Sequence, residues 1–186
     1  MRVTCVVVMG VSGAGKSTVG SELGEALHVP FLDADSLHSA DAVHKLSTGV
    51  PLTDDDRWPW LRRVGAAAKE RAAQSEQHMC IVACSALKRK YRDLLRATPD
   101  ARVVFVYLRL APAVLAERLA QRQGHFMKAS MLQSQLDTLQ EPHADEGGVC
   151  VVEITASMSR AAVVDAAEAQ LRACLGASAD ADGASR

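Results

Sequence analysis

Apolar and polar residues along this chain follow two alternating rhythms. Short unbroken apolar runs occur at Val3–Met9, Met79–Cys84, Val103–Leu108 and Val149–Ile154, with a shorter one at Pro30–Leu32. Runs of this length, rich in valine, have the form of strands buried on both faces. Between them, apolar residues recur three or four positions apart, the spacing of one helix face. Val19, Leu23, Ala26 and Leu27 follow Ser17 in this way. Trp60, Leu61, Val64 and Ala68 follow Pro59, which is expected to open a helix because proline suits a first turn. Ala86–Arg96 reads as a basic helix, Pro112 starts another, Leu132, Leu136 and Leu139 mark one more, and Ala161–Leu175 forms the last. Five strands separated by helices predict an α/β fold with a parallel sheet.

The 186 residues suit a single domain, read here as 1–175. The tail 176–186 carries little to bury and is expected to be disordered. With 48% hydrophobic and 23% charged residues, a largely disordered chain is excluded. A net charge of −1 and 4% aromatics argue against a nucleic-acid partner. No apolar run approaches the roughly 20 residues of a membrane span, and Val3–Met9 is too short for a secretory signal. The expectation is therefore no membrane partner and a cytoplasmic location. Cys5, Cys80, Cys84, Cys150 and Cys174 are odd in number and lack C-x-x-C spacing. They read as core-packing thiols of a reducing compartment rather than zinc ligands or disulfides.

Chemistry enters directly after the first strand. Gly10, Val11, Ser12, Gly13, Ala14, Gly15, Lys16 and Ser17 fit G-x-x-x-x-G-K-[ST], followed by Thr18 at the opening of a helix. Glycines let backbone N–H groups turn inward around phosphate oxygens, and the helix N-terminus adds partial positive charge. Lys16 supplies a full charge for the β- and γ-phosphates, and the Ser17 hydroxyl can ligate Mg²⁺. No guanine-reading N-K-x-D is present. The D-x-x-G string at Asp145–Gly148 precedes a strand near the C-terminus and is taken as coincidental. The third strand ends in Cys84-Ser85 rather than the acidic pair of a motor ATPase. Small kinases remain. Asp33 and Asp35 follow the second strand, where ligands of doubly wound sheets bind. One carboxylate can hold Mg²⁺ through water and the other can take a proton from an attacking hydroxyl. The competing reading of D-x-D is a helix cap or Asx-turn.

Read together, the phosphate loop, Phe31–Asp35, Leu37-His38, Gly49–Leu52, Asp54–Arg57 with Pro59–Leu61, Ala83–Arg89, Tyr91–Arg96, Gly124–Phe126 and Leu139–Pro142 resemble the small P-loop gluconokinases, which are related in fold to shikimate kinase. The resemblance covers about Val6 to Ile154. It implies a three-layer P-loop kinase fold with a small helical lid, here about 118–142. It also implies ATP and Mg²⁺ as cofactors, and transfer of the γ-phosphoryl group to the 6-hydroxyl of D-gluconate, a step that feeds the pentose phosphate pathway. The alternatives are a same-fold kinase for a shikimate-like acid or a nucleoside monophosphate, and a non-catalytic ATP-binding module. Members are often dimeric, so a homodimer is one option, although no interface signature stands out. Ala34, Ala42 and Leu46 stand where the family usually has glycine, asparagine and methionine.

Under this resemblance Lys16, Asp35 and Arg122 are the catalytic candidates. The phosphate loop with Arg118 and Arg122 binds the nucleotide, and Ser17 and Asp33 hold the metal. Asp35, His38, Arg57 and Lys88 face the sugar acid. Arg57 is the first candidate for the substrate carboxylate, because guanidinium binds carboxylate bidentately. The competing reading is that it merely neutralises Asp54–Asp56. Arg118 and Arg122, four apart, share a helix face ahead of Gly124–Phe126, a plausible hinge into the lid. Arg92 and Arg96 are expected on an exposed face with Asp93.

Overall fold

The computed structural model describes residues 2–120, 129–143 and 145–183, with the side chains of 118–120, 129–131 and 177–183 outside that description. The elements run β1 (Val3–Met9), α1 (Lys16–Ala26), β2 (Phe31–Asp33), a 3-10 turn (Ala34–Leu37), α2 (Ala40–Ser47), α3 (Asp54–Gln74), β3 (Met79–Ala83), α4 (Arg89–Arg96), β4 (Ala101–Leu110), α5 (Pro112–Ala120), α6 (Ala129–Thr138), β5 (Val149–Ile154) and α7 (Arg160–Gly183). The five strands form one sheet in the order β2-β3-β1-β4-β5, and every neighbouring pair is parallel. This is the α/β architecture the apolar rhythm predicts.

Side chains alternate across a strand, so each apolar run feeds two cores. From β1, Val6 and Val8 enter one layer, while Cys5, Val7 and Met9 enter the other. Helices α1 and α7 cover the first face, and α3 and α4 cover the second. Burying a valine this fully is worth roughly 1.5–3 kcal/mol, which is why the buried positions of the central strands are almost all apolar. Cys5, Cys80, Cys84 and Cys150 are buried in these layers. Desolvation pushes the thiol of Cys5 up to about 11 and that of Cys80 to about 12.

Local chemistry moved several boundaries. Helix α3 begins at Asp54, five residues before Pro59, because Thr53 and Asp56 form a reciprocal capping box. Three aspartates in its first turn also suit the helix dipole. Pro59 then lies inside the helix and forgoes one backbone bond. Helix α4 starts at Arg89 rather than Ala86, since Ala86 has φ of 43° and breaks the helical path. Helix α2, capped by the Ser39 hydroxyl on the Ala42 N–H, carries too short an apolar pattern to be seen in sequence. Helix α7 runs to Gly183, past the Leu175 end that apolar spacing gives and into the stretch read as disordered.

Arg92 corrects the expectation of an exposed basic face. It is fully buried and grips Glu146 through Nε (2.7 Å) and Nη2 (2.5 Å). Its Nη1 donates to the carbonyls of Ala86 and Leu87. Arg96 pairs with Asp93 as expected and also reaches Glu146 at 3.2 Å. The string Asp145–Gly148, taken as coincidental, therefore contains a structural carboxylate. Among the described residues, no helix is long and apolar enough to cross a membrane.

Candidate active site

The site is built at the carboxyl ends of β1, β2 and β3, where the chain leaves the sheet. The loop 10–15 joins β1 to α1. A Cβ at Gly10 would come within 3.0 Å of the Leu108 carbonyl oxygen, so that glycine is needed for close approach. Gly15 has open space around it but sits at φ of 97°, so there the requirement is conformational. Gly15 is the N-cap of α1 and offers no capping side chain, and the first turn of α1 carries no acid. The N–H groups of that turn are therefore left for an anion. This donor set fits a polyphosphate. The Gly10 N–H donates to the Ser85 carbonyl and the Cys84 N–H to that of Val8, tying the loop's root to β3. Lys16 Nζ reaches the Val11 carbonyl at 3.1 Å, which folds the ammonium back over the loop.

Ser17 and Asp33, the two residues expected to hold a metal, meet. The Ser17 hydroxyl donates to Asp33 Oδ2 at 2.7 Å. Oδ1 of the same carboxylate accepts from the Asp35 N–H at 3.0 Å and caps the 3-10 turn. The capping reading of D-x-D thus applies to one oxygen of Asp33, and its other oxygen faces Ser17. Asp35 is exposed, with its side chain 87% accessible, and lies 3.8 Å from His38 Nε2. Ala34 is fully buried and lies outside the positive-φ positions, so an alanine fits there without strain.

Helix α3 clamps that turn. Trp60 Nε1 donates to the Ala34 carbonyl at 2.8 Å, and His38 stacks on the Trp60 ring with centroids 4.3 Å apart. Burial lowers the His38 pKa from its ordinary value, against the pull of Asp35. Nδ1 of His38 is buried and has no hydrogen-bond partner among the described residues.

The first turn of α3 faces the start of α4 in a charged wall. Asp54 accepts from Lys88 at 3.0 Å, and also from Lys90 and the Tyr91 hydroxyl. These bonds hold its carboxyl well below the usual carboxylate range. Asp56 accepts from Lys45 at 2.6 Å, which with Thr53 lowers it to about 2. Arg57 pairs with neither. Its Nη1 donates to the Leu52 carbonyl and toward the Tyr91 hydroxyl at 3.4 Å, and its guanidinium lies 5.7 Å from the Tyr91 ring centre. The direct ion pairs that a purely neutralising Arg57 would make with Asp54 or Asp56 are taken by lysines instead. Lys88, by contrast, is already engaged by Asp54.

Arg122 and Gly124–Phe126 lie outside the described residues, as does the Arg118 side chain. Sequence reasoning missed the Trp60–His38 stack, the Asp54 clamp and Gln135, whose side chain reaches the phosphate loop. None had a local signal, because the partners lie 22 to 123 residues apart.

Comparison with known proteins agrees with this geometry. A model of the shikimate kinase family matches residues 12–165. The chain is 49% identical over 148 residues to the thermoresistant gluconokinase of Escherichia coli K12, covering 80% of this chain and 83% of that protein. It is 47% identical over 141 residues to a gluconokinase of Gluconobacter oxydans, covering 76% and 78%. The crystal structure of a gluconokinase from Sinorhizobium meliloti superposes with a TM-score of 0.78 at 44% identity, covering 93% and 94%.

Proposed function

This chain belongs to the gluconokinase family, and from that premise we propose that it transfers the γ-phosphoryl group of ATP to the 6-hydroxyl of D-gluconate, giving 6-phospho-D-gluconate and ADP. A same-fold kinase for a shikimate-like acid or a nucleoside monophosphate is not favoured by these relatives. The observation that carries the reading is the 2.7 Å bond between Ser17 and Asp33. It brings the hydroxyl of the phosphate loop and the Asp33 carboxylate at the end of β2 together.

The roles follow from the charges. Lys16 and the open N–H groups of α1 oppose the charge that develops on the equatorial phosphoryl oxygens. Asp35 accepts the proton of the attacking hydroxyl as the new O–P bond forms and the bond to the ADP oxygen breaks. Magnesium, when bound, supplies charge neutralisation across the phosphates, and Ser17 and Asp33 are the residues that would hold it. Arg57 takes the gluconate carboxylate, with His38 and Lys88 as neighbours along the same wall. At least one of Arg118 and Arg122 adds cationic charge at the transferring group.

An initial-rate screen of acceptors with ATP and magnesium tests this. Gluconate is expected to give the highest kcat/KM, with shikimate and nucleoside monophosphates far lower. Turnover of another acceptor with none on gluconate would refute the assignment.

A further inference from the structure

Helix α6 presents one side chain to the phosphate loop. The Ser12 N–H donates to Gln135 Oε1 at 2.7 Å, across 123 residues of sequence. The helix that carries Gln135 is firmly placed. Leu132 is buried, and Leu136 and Leu139 pack on the same core. Just past the helix, the Gln140 N–H donates to the Leu87 carbonyl at 2.8 Å, and Gln140 Oε1 accepts from the Arg89 N–H. These contacts hold the C-terminal part of the helix that carries Gln135 against the core and against Leu87 and Arg89.

The donor at Ser12 fixes which way the carboxamide points. The oxygen must face the loop, and the NH₂ group is what remains. Among the described residues, Nε2 of Gln135 has no protein acceptor. The residue type matters too. A carboxylate here would also accept from Ser12, but would set a negative charge against the phosphates. A carboxamide accepts without charge and keeps two N–H donors on the same side chain.

We propose that Gln135 contacts the γ-phosphoryl group: its oxygen fixes the Ser12 amide while its Nε2 donates to the terminal phosphate, so that this side chain helps distinguish triphosphate from diphosphate. The inference rests on the phosphate-loop reading above, and its test separates the two.

Titration calorimetry on the full chain would compare ADP with a non-hydrolysable ATP analogue, magnesium present, for wild type, Gln135→Leu and Gln135→Glu. Both variants should bind ADP within about twofold of wild type. The analogue should bind about tenfold more weakly to Gln135→Leu, the loss of one hydrogen bond to a charged group, and weaker still to Gln135→Glu. In steady state kcat should fall while the gluconate KM stays within about twofold. Equal shifts for both nucleotides would overturn the proposal, as would none. So would wild-type behaviour of Gln135→Glu, which keeps the Ser12 acceptor, since a purely structural bond predicts that result. Loss of the triphosphate preference in the variants of a chain that does not phosphorylate gluconate would support this inference and refute the substrate assignment alone.

Discussion

The phosphate loop and the wall between α3 and α4 manage charge in opposite ways. The loop gathers its positive ends within nine consecutive residues, and most of them are backbone N–H groups aligned by glycine conformation. The Asp33 carboxylate beside it is bonded to Ser17. The wall draws Lys45, Asp54, Asp56, Arg57, Lys88, Lys90 and Tyr91 from three separate helices or their caps. There the lysines are already paired, and Arg57 is the cation left without an acid among the described residues of that wall. A binding site for polyphosphate can be encoded locally. A single acid-free guanidinium such as Arg57 arises only where separate helices bring acids to the neighbouring lysines.

The contrast can be tested by degrees. Lys16→Ala removes the only full positive charge the loop itself contributes, so kcat/KM should fall about 10³-fold in a coupled assay, with the fold unchanged by circular dichroism. An unaltered rate would break the claim that the loop acts by charge. Glu146→Gln strands the buried Arg92, and urea unfolding should show a loss of about 3 kcal/mol. That pair anchors α4 from behind, so the wall should loosen with it. Asp35→Asn should lower kcat about 10²-fold while ATP binding persists. Arg57→Met should raise the gluconate KM about tenfold and leave the ATP KM unchanged. A matched rise in both constants would erase the distinction between the two regions.

The smallest effect is in pH. Hydrogen bonds from Arg92 hold the Glu146 carboxyl down at about 2. A depressed carboxyl stabilises the fold fully above its ordinary value of 4.5, and the contribution is lost as pH falls from there toward about 2. Urea midpoints between pH 6 and 3 should therefore decline more steeply for wild type than for Glu146→Gln. Parallel slopes would show that the pair does not titrate with unfolding.

The same division explains what could be read from the sequence. β1 and β5 were legible to the residue, because both are short, valine-rich and largely apolar runs. The placement of Lys16 and Ser17 at the start of α1 and of Asp33 at the end of β2 was legible, because the loop motif requires a strand before it and a helix after it. The start of α3 was missed because the capping box at Thr53 outweighs the preference of Pro59 for a first turn. Arg92 was misread because i,i+4 spacing says which residues share a helix face, not whether that face is buried. Its partner Glu146 lies 54 residues away, and only the fold brings them together. Gln135 was invisible for the same reason.

The most direct test of the account is ³¹P NMR of the purified chain with ATP, magnesium and D-gluconate. The account predicts a phosphomonoester resonance of 6-phosphogluconate growing in step with ADP, and little inorganic phosphate. ATP left unconsumed, or cleaved to inorganic phosphate at the same rate whether or not gluconate is added, would contradict it.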